Sequence, residues 1–288
     1  MDEFRNGAMV FDVIDRGPAD GEPVVLLHGF PQFNTAWDAV MDRLVAQGFR
    51  CIAPNQRGYA PRARPLRRRD YRVSELVGDI VALIDEIGAP KVHLVGHDWG
   101  ALVAWGVAAA APERLATLTT MSVPHPSAFI KAILTSRQGL ASWYMYAFQV
   151  PKLPELVFAR KGGAGGAAVL QRVADQSKEA ATRDIREMVD TGALTGAINW
   201  YRGLAFTKPA SLRGRVSVPT MFVWSDGDTA CLEPGARDCA RFVTGEYRFE
   251  ILHGVSHWML DDVPDQVANL LLGWLSSHRI ATGGPNAH

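Results

Sequence analysis

The chain has 288 residues, 48% hydrophobic and 21% charged, the balance of a globular protein long enough to bury a large core. Thirty basic side chains cancel thirty acidic ones, so no overall charge draws it to nucleic acid or to an anionic membrane. The longest apolar stretch, residues 101–111, is too short for a bilayer span of about 20 residues, which argues against membrane insertion. The start, MDEFRNGAMVFDV, lacks the basic-then-apolar order of a secretory leader. The three cysteines, Cys51, Cys231 and Cys239, have neither zinc-site spacing nor a CxxC partner; we expect free thiols and a cytoplasmic location.

In chain order, residues 24–28 form a short apolar run that reads as a buried parallel strand, and 49–53 form another. The basic run from Arg62 to Arg72 reads as a solvated loop. Val73, Leu76, Val77, Ile80, Leu83, Ile84 and Ile87 then fall on one helical face, and Gly88 stops the helix. Residues 92–96 predict a strand, 99–111 a helix and 115–123 a further strand. This alternation means a parallel sheet covered on both faces.

The pattern changes at residue 125. Residues 125–211 read mostly as helices, an insert of about 85 residues. Within it, Gly163, Gly165 and Ala168 match the spacing G-x-G-x-x-A. With no strand before them and no βαβ frame around them, we expect a flexible loop and no dinucleotide site. Alternation resumes with strands at 219–224 and 247–252, a helix from Pro234 and a last helix over 264–274; the tail at 282–288 is expected to fray. Residues 1–124 and 212–288 therefore make one sheet domain, and 125–211 a helical cap.

The chemistry starts at Gly96-His97-Asp98-Trp99-Gly100, placed where a strand ends and a helix begins. This is the spacing of the nucleophile elbow, G-x-S-x-G, with Asp98 in place of Ser. A helix N-terminus behind the carboxylate favours its negative charge. His28-Gly29-Phe30-Pro31 follows an earlier strand, where this architecture places one backbone donor of an oxyanion hole. The residue after the nucleophile supplies the other, giving Phe30 and Trp99. His257 lies after the last strand. Asp228, with Asp226 as a competitor, lies after the preceding one. The order Asp98, Asp228, His257 is nucleophile, acid, base, the order of the α/β-hydrolase fold.

Together these motifs resemble the epoxide hydrolase branch of the α/β-hydrolase superfamily, from about Val10 to Leu275. The resemblance is carried by HGFP, Asn55-Gln56-Arg57-Gly58-Tyr59, GHDWG, Ser122-Val123-Pro124-His125-Pro126 and His257, and most specifically by two pieces of the cap. Asn199-Trp200-Tyr201-Arg202 resembles the family segment with one ring-opening tyrosine. Trp143-Tyr144-Met145-Tyr146-Ala147-Phe148-Gln149 resembles the segment with the other, assigned to Tyr144 with Tyr146 as the alternative. Pro31, Phe148 and Trp258, within or beside these motifs, are candidate pocket residues, and His125 reads as structural. Asn55 stands where the family commonly has Asp, which puts one loop contact in question.

The resemblance implies a small-molecule epoxide as substrate, opened through a covalent ester of Asp98, with no metal or organic cofactor, and it allows a homodimer. A carboxylate suits displacement at a saturated carbon, because no proton must leave it first. Haloalkane dehalogenases share the Asp machinery and a Trp after the nucleophile, but they typically place Asn or another polar residue where Phe30 stands, or a Trp in the lid, and a halide leaving group needs no proton donor, so Phe30 and the tyrosines argue against them. Fluoroacetate dehalogenases usually carry Arg where Trp99 stands, and an ordinary esterase would need Ser in the elbow. A non-catalytic ligand sensor would have no use for the whole set of Asp98, Asp228 and His257.

Overall fold

The short buried runs at 23–27, 92–97 and 220–225 extend as strands of one sheet, while the longer apolar stretch from Trp99 is helical. The computed structural model describes residues 1–280; the tail at 282–288 lies outside them. The strands are β1 (Glu3–Asn6), β2 (Met9–Arg16), β3 (Pro23–Leu27), β4 (Arg50–Pro54), β5 (Val92–His97), β6 (Leu115–Met121), β7 (Thr220–Ser225) and β8 (Tyr247–Leu252). They lie in the order β1-β2-β4-β3-β5-β6-β7-β8. β2 is antiparallel to both β1 and β4, and every later pairing is parallel. This is the mostly parallel sheet of the α/β-hydrolase fold. The alternation reading omits the first two strands. They are joined by a two-residue turn in which Gly7 has φ +59, a hairpin conformation that suits glycine.

Successive residues of β3 feed opposite faces, as the two-residue period of a strand requires. Val25 and Leu27 pack with Ile80, Leu83 and Val103, on α2 (Val73–Ile87) and α3 (Trp99–Ala110). Val24 and Leu26 pack with Met41 and Leu44 of α1 (Asp38–Ala46) and with Val267 and Leu271 of the last helix, Pro264–Ser277. The predicted face of α2 is the buried one, and Gly88 closes that helix at φ +73. The Arg62–Arg72 run is mostly exposed, although Arg64 is half-buried and donates to the Thr191 carbonyl at 2.6 Å.

Between β6 and β7 the chain is helical: α4 (Pro126–Thr135), α5 (Gln138–Ala141), α6 (Trp143–Ala147), α7 (Leu153–Ala159), α8 (Ala164–Val173), α9 (Lys178–Asp190) and α10 (Leu194–Gly203). The glycine-rich stretch is not the loop expected from sequence. Gly163 caps α8, and Gly165 and Gly166 lie inside it. A Cβ on Gly165 would stand 2.2 Å from the Val157 carbonyl oxygen, and one on Gly166 would stand 2.9 Å from both Phe158 and Ile185. These glycines let α7, α8 and α9 approach closely; their role is packing.

Two contacts fix α10 over the rest of the chain. Gly196 meets Gly58 so closely that a Cβ on it would be 2.4 Å from the Gly58 carbonyl oxygen, and Trp200 Nε1 donates to the Arg57 carbonyl at 2.6 Å. Residue 201 follows directly. The loop at 55–59 thus sets the height of Tyr201.

Candidate active site

Asp98 stands at the strand-to-helix turn between β5 and α3 with φ +51, a conformation costly for a residue with a side chain. Its neighbours show what permits it. A Cβ on Gly100 would lie 2.1 Å from the Leu27 carbonyl oxygen, and one on Gly96 would lie 2.3 Å from the Gly100 carbonyl oxygen. Only glycine at both positions lets β5, the turn and α3 pack against β3. The turn lifts Asp98 to the end of the sheet. There the Phe30 N–H donates to Asp98 Oδ1 at 2.8 Å. Trp99 opens α3, so its N–H is among the first-turn donors that have no acceptor within the helix.

The loop carrying Phe30 is held from behind. The Gln56 N–H donates to His28 Nε2 at 3.1 Å, and Gln56 Nε2 donates to the His28 carbonyl at 2.7 Å. Accepting at Nε2 leaves the His28 proton on Nδ1, facing the Gly29 carbonyl at 3.1 Å. Burial pushes this imidazole down to about 4, so it stays neutral. Asn55 keeps a loop contact of its own: its Oδ1 accepts from the Asn34 N–H at 3.0 Å, and its Nδ2 donates to Asp12 at 2.5 Å.

His257 faces both carboxylates. Nε2 is 3.6 Å from Asp98 Oδ2, and Nδ1 is 2.9 Å from Asp228 Oδ2. The other Asp228 oxygen accepts the Ala230 and Cys231 N–H groups, each at 2.8 Å. Asp226, the competing acid, points elsewhere and pairs with His253 at 2.8 Å. Burial disfavours the imidazolium of His257, but Asp228 and then Asp98 outweigh it and raise the group to about 10. Burial would raise the Asp228 carboxyl; His257, Ser122 and the Cys231 N–H reverse this and hold it below the usual range. His97 Nε2 lies 2.9 Å from the His257 carbonyl oxygen and ties down the backbone.

Ser122 has no role in the sequence analysis beyond its place in a motif. It follows β6 with φ +67, and its Oγ lies 2.5 Å from Asp228 Oδ2 and 2.8 Å from His257 Nδ1. Its position at the end of the strand beside Asp98 was the available signal. His125 stacks on Phe242 at 4.7 Å and lies 2.9 Å from the Gly214 carbonyl oxygen, away from the acids.

A cavity of about 370 Å³ opens onto Asp98 and His257 and is lined by Phe30, Tyr144, Phe148, Tyr201 and Trp258. A second, of about 230 Å³, meets the same Asp98, Tyr144 and Tyr201 and continues past Trp99, Phe129 and Cys231. Tyr201 crosses Trp99 edge-on at 4.9 Å and Tyr144 at 6.0 Å. Burial and the charge of Asp98 hold the Tyr201 phenol well above its ordinary value; burial, with Cys231 and Asp98, does the same for Tyr144. Both therefore stay protonated. Tyr146 is 67% exposed and lines neither cavity. One pocket expectation fails: Pro31 is buried but does not line the cavity, because the Phe30 side chain forms that wall. The three cysteines are free and buried, and burial raises the Cys231 thiol far above its usual value. Among the described residues, no helix is long and apolar enough to cross a membrane.

A family model described as alpha/beta hydrolase fold matches residues 22–264. Human epoxide hydrolase 4 is 30% identical over 94% of this chain and 77% of its own length. The AB hydrolase superfamily protein YfhM of Bacillus subtilis is 33% identical over 96% of this chain and 98% of its own. Among solved structures, epoxide hydrolase A of Mycobacterium thermoresistibile superposes with a TM-score of 0.78 at 26% identity, covering 96% of this chain and 98% of that one. An aspartate in the elbow and relatives aligned along nearly the whole chain lead to one placement: the chain belongs to the α/β-hydrolase family, in its epoxide hydrolase branch.

Proposed function

We propose that this protein hydrolyses an epoxide to a vicinal diol through a covalent ester of Asp98. In this reading residues 125–211 are a cap over a core built from 1–124 and the chain from 212 onward. The observation that carries it is the placement of His257, with Nε2 towards Asp98 and Nδ1 on Asp228, beside a cavity walled by two protonated tyrosines.

Asp98 Oδ1 is already held by Phe30, which leaves Oδ2 as the nucleophile. It attacks a ring carbon, the carbon–oxygen bond breaks, and the electron pair goes to the epoxide oxygen. Tyr201 or Tyr144 delivers a phenolic proton there, giving a hydroxyl. Esterification removes the charge of Asp98, one of the two anions that keep His257 protonated. The imidazolium then gives its proton to the phenolate left by ring opening, and the neutral imidazole takes one from water, with Asp228 stabilising the imidazolium that re-forms. The hydroxide attacks the ester carbon, and the oxyanion forms at Oδ1, on which the Phe30 N–H already donates, with the Trp99 N–H assigned as the second donor. On collapse the second diol oxygen leaves with the proton from His257. The proton remaining on the new carboxylic acid passes to His257, which restores the carboxylate, the imidazolium and the phenol. The sum is epoxide plus water to diol.

Two cavities meeting at Asp98 and the tyrosines favour an epoxide with substituents on both sides of the ring. Turnover of terminal and 1,2-disubstituted epoxides, beside bromoalkanes of equal size, tests the reading. Diol formation lost in D98N supports it. Halide release without diol formation would assign the chain to dehalogenation, and binding without turnover would make it a sensor.

A further inference from the structure

We propose that the face of the cap around α4 to α8 docks on an anionic lipid surface, with the mouth of the Asp98 cavity turned towards the lipid. Ten of the twelve exposed large apolar side chains among the described residues lie between 130 and 173, Leu134, Leu140, Tyr146 and Leu156 being the most exposed. Such clustering of apolar surface marks a docking face. The same stretch joins directly to the cavity: Trp143, Leu153, Val157 and Val173 are both exposed and part of its lining.

Charge selects the partner. Residues 126–173 contain six Lys or Arg side chains and one acid, Glu155, a net +5 on a chain whose total is zero. Glu155 is already paired with Arg202, and of the six cations only Lys131 has an ion pair among the described residues, with Asp238. The zero net charge thus conceals a cationic cap face opposed by an acidic remainder. Basic side chains among exposed leucine, tryptophan and tyrosine suit the headgroup region of an anionic membrane. A second copy of the chain would bring two +5 faces together, which disfavours self-association here. The contact is one of surface docking and does not need a spanning helix.

Flotation of the full chain with phosphatidylcholine vesicles, with and without about 30% phosphatidylglycerol, tests this. Binding is expected to the anionic vesicles, falling as salt rises from about 0.05 to about 0.5 M. The double variants L140S/L156S and K152E/K161E should each bind at least about tenfold more weakly, with unchanged circular dichroism and unchanged turnover of a water-soluble epoxide. Absence of binding to anionic vesicles at low salt overturns the proposal, as does equal binding by both variants. A concentration-dependent dimer abolished by L140S/L156S, without vesicle binding, would give the face to a second copy instead.

Discussion

Ser122 Oγ lies 2.5 Å from Asp228 Oδ2 and 2.8 Å from His257 Nδ1, so a single hydroxyl touches both members of the acid–imidazole pair. It can donate to the carboxylate while accepting from the imidazole, which makes Ser122 a positioning residue. In S122A a buried carboxylate loses one donor. The expected cost is about 1–3 kcal/mol in urea unfolding. Ester hydrolysis should slow more than alkylation, because the proposed mechanism assigns His257 and Asp228 to the second step. Pre-steady-state kinetics separate the two; equal slowing of both would remove Ser122 from this role.

The raised His257 carries a pH signature. Its folded value of about 10 exceeds the unfolded value of about 6.5. The stability it contributes is therefore complete below about pH 6.5 and is lost as pH rises towards about 10. Wild type should lose denaturation free energy between about pH 7 and about pH 9.5, and H257Q should lose less. Parallel losses in the two proteins would show that His257 is not the group titrating.

The two tyrosines are separable from their neighbour. Y201F and Y144F should each slow alkylation by about ten- to hundredfold, since the other phenol remains, and the double variant should slow it further. Y146F should stay within about twofold, because that ring is exposed and lines neither cavity. A stopped-flow trace of alkylation reads all four; a Y146F defect matching Y144F would reverse the assignment.

Gly196 seats the insert on the loop at 55–59 through Gly58. G196A places a methyl group 2.4 Å from the Gly58 carbonyl oxygen, with backbone on both sides, so the helix must shift. We expect a loss of about 1–3 kcal/mol and reduced turnover, because Trp200 and Tyr201 move with α10. A stable, fully active G196A would show that the height of this helix does not matter.

Much of this was legible in sequence because the chemistry depends on chain order. The strand–turn–helix frame around Asp98 follows from alternating apolar runs and two glycines, and Asp228 and His257 from their positions after β7 and β8. Other features were not legible. Position favours Asp228 over Asp226, but the contacts that hold Asp228 inward, the Ala230 and Cys231 N–H groups, carry no sequence signal. Gly165 and Gly166 looked like a flexible loop because close helix packing and flexibility both call for glycine. Pro31 belongs to the HGFP motif, yet the neighbouring Phe30 occupies the wall. The net +5 of residues 126–173 was hidden by a balanced total charge.

The most direct test of the account is the mass of H257Q after mixing with an epoxide such as styrene oxide. An ester that forms but cannot be hydrolysed should add the mass of one epoxide to the intact protein, on the peptide containing Asp98, and the D98N/H257Q double variant should gain nothing. An unmodified H257Q that still releases diol, or an adduct located away from Asp98, would contradict covalent catalysis by this aspartate.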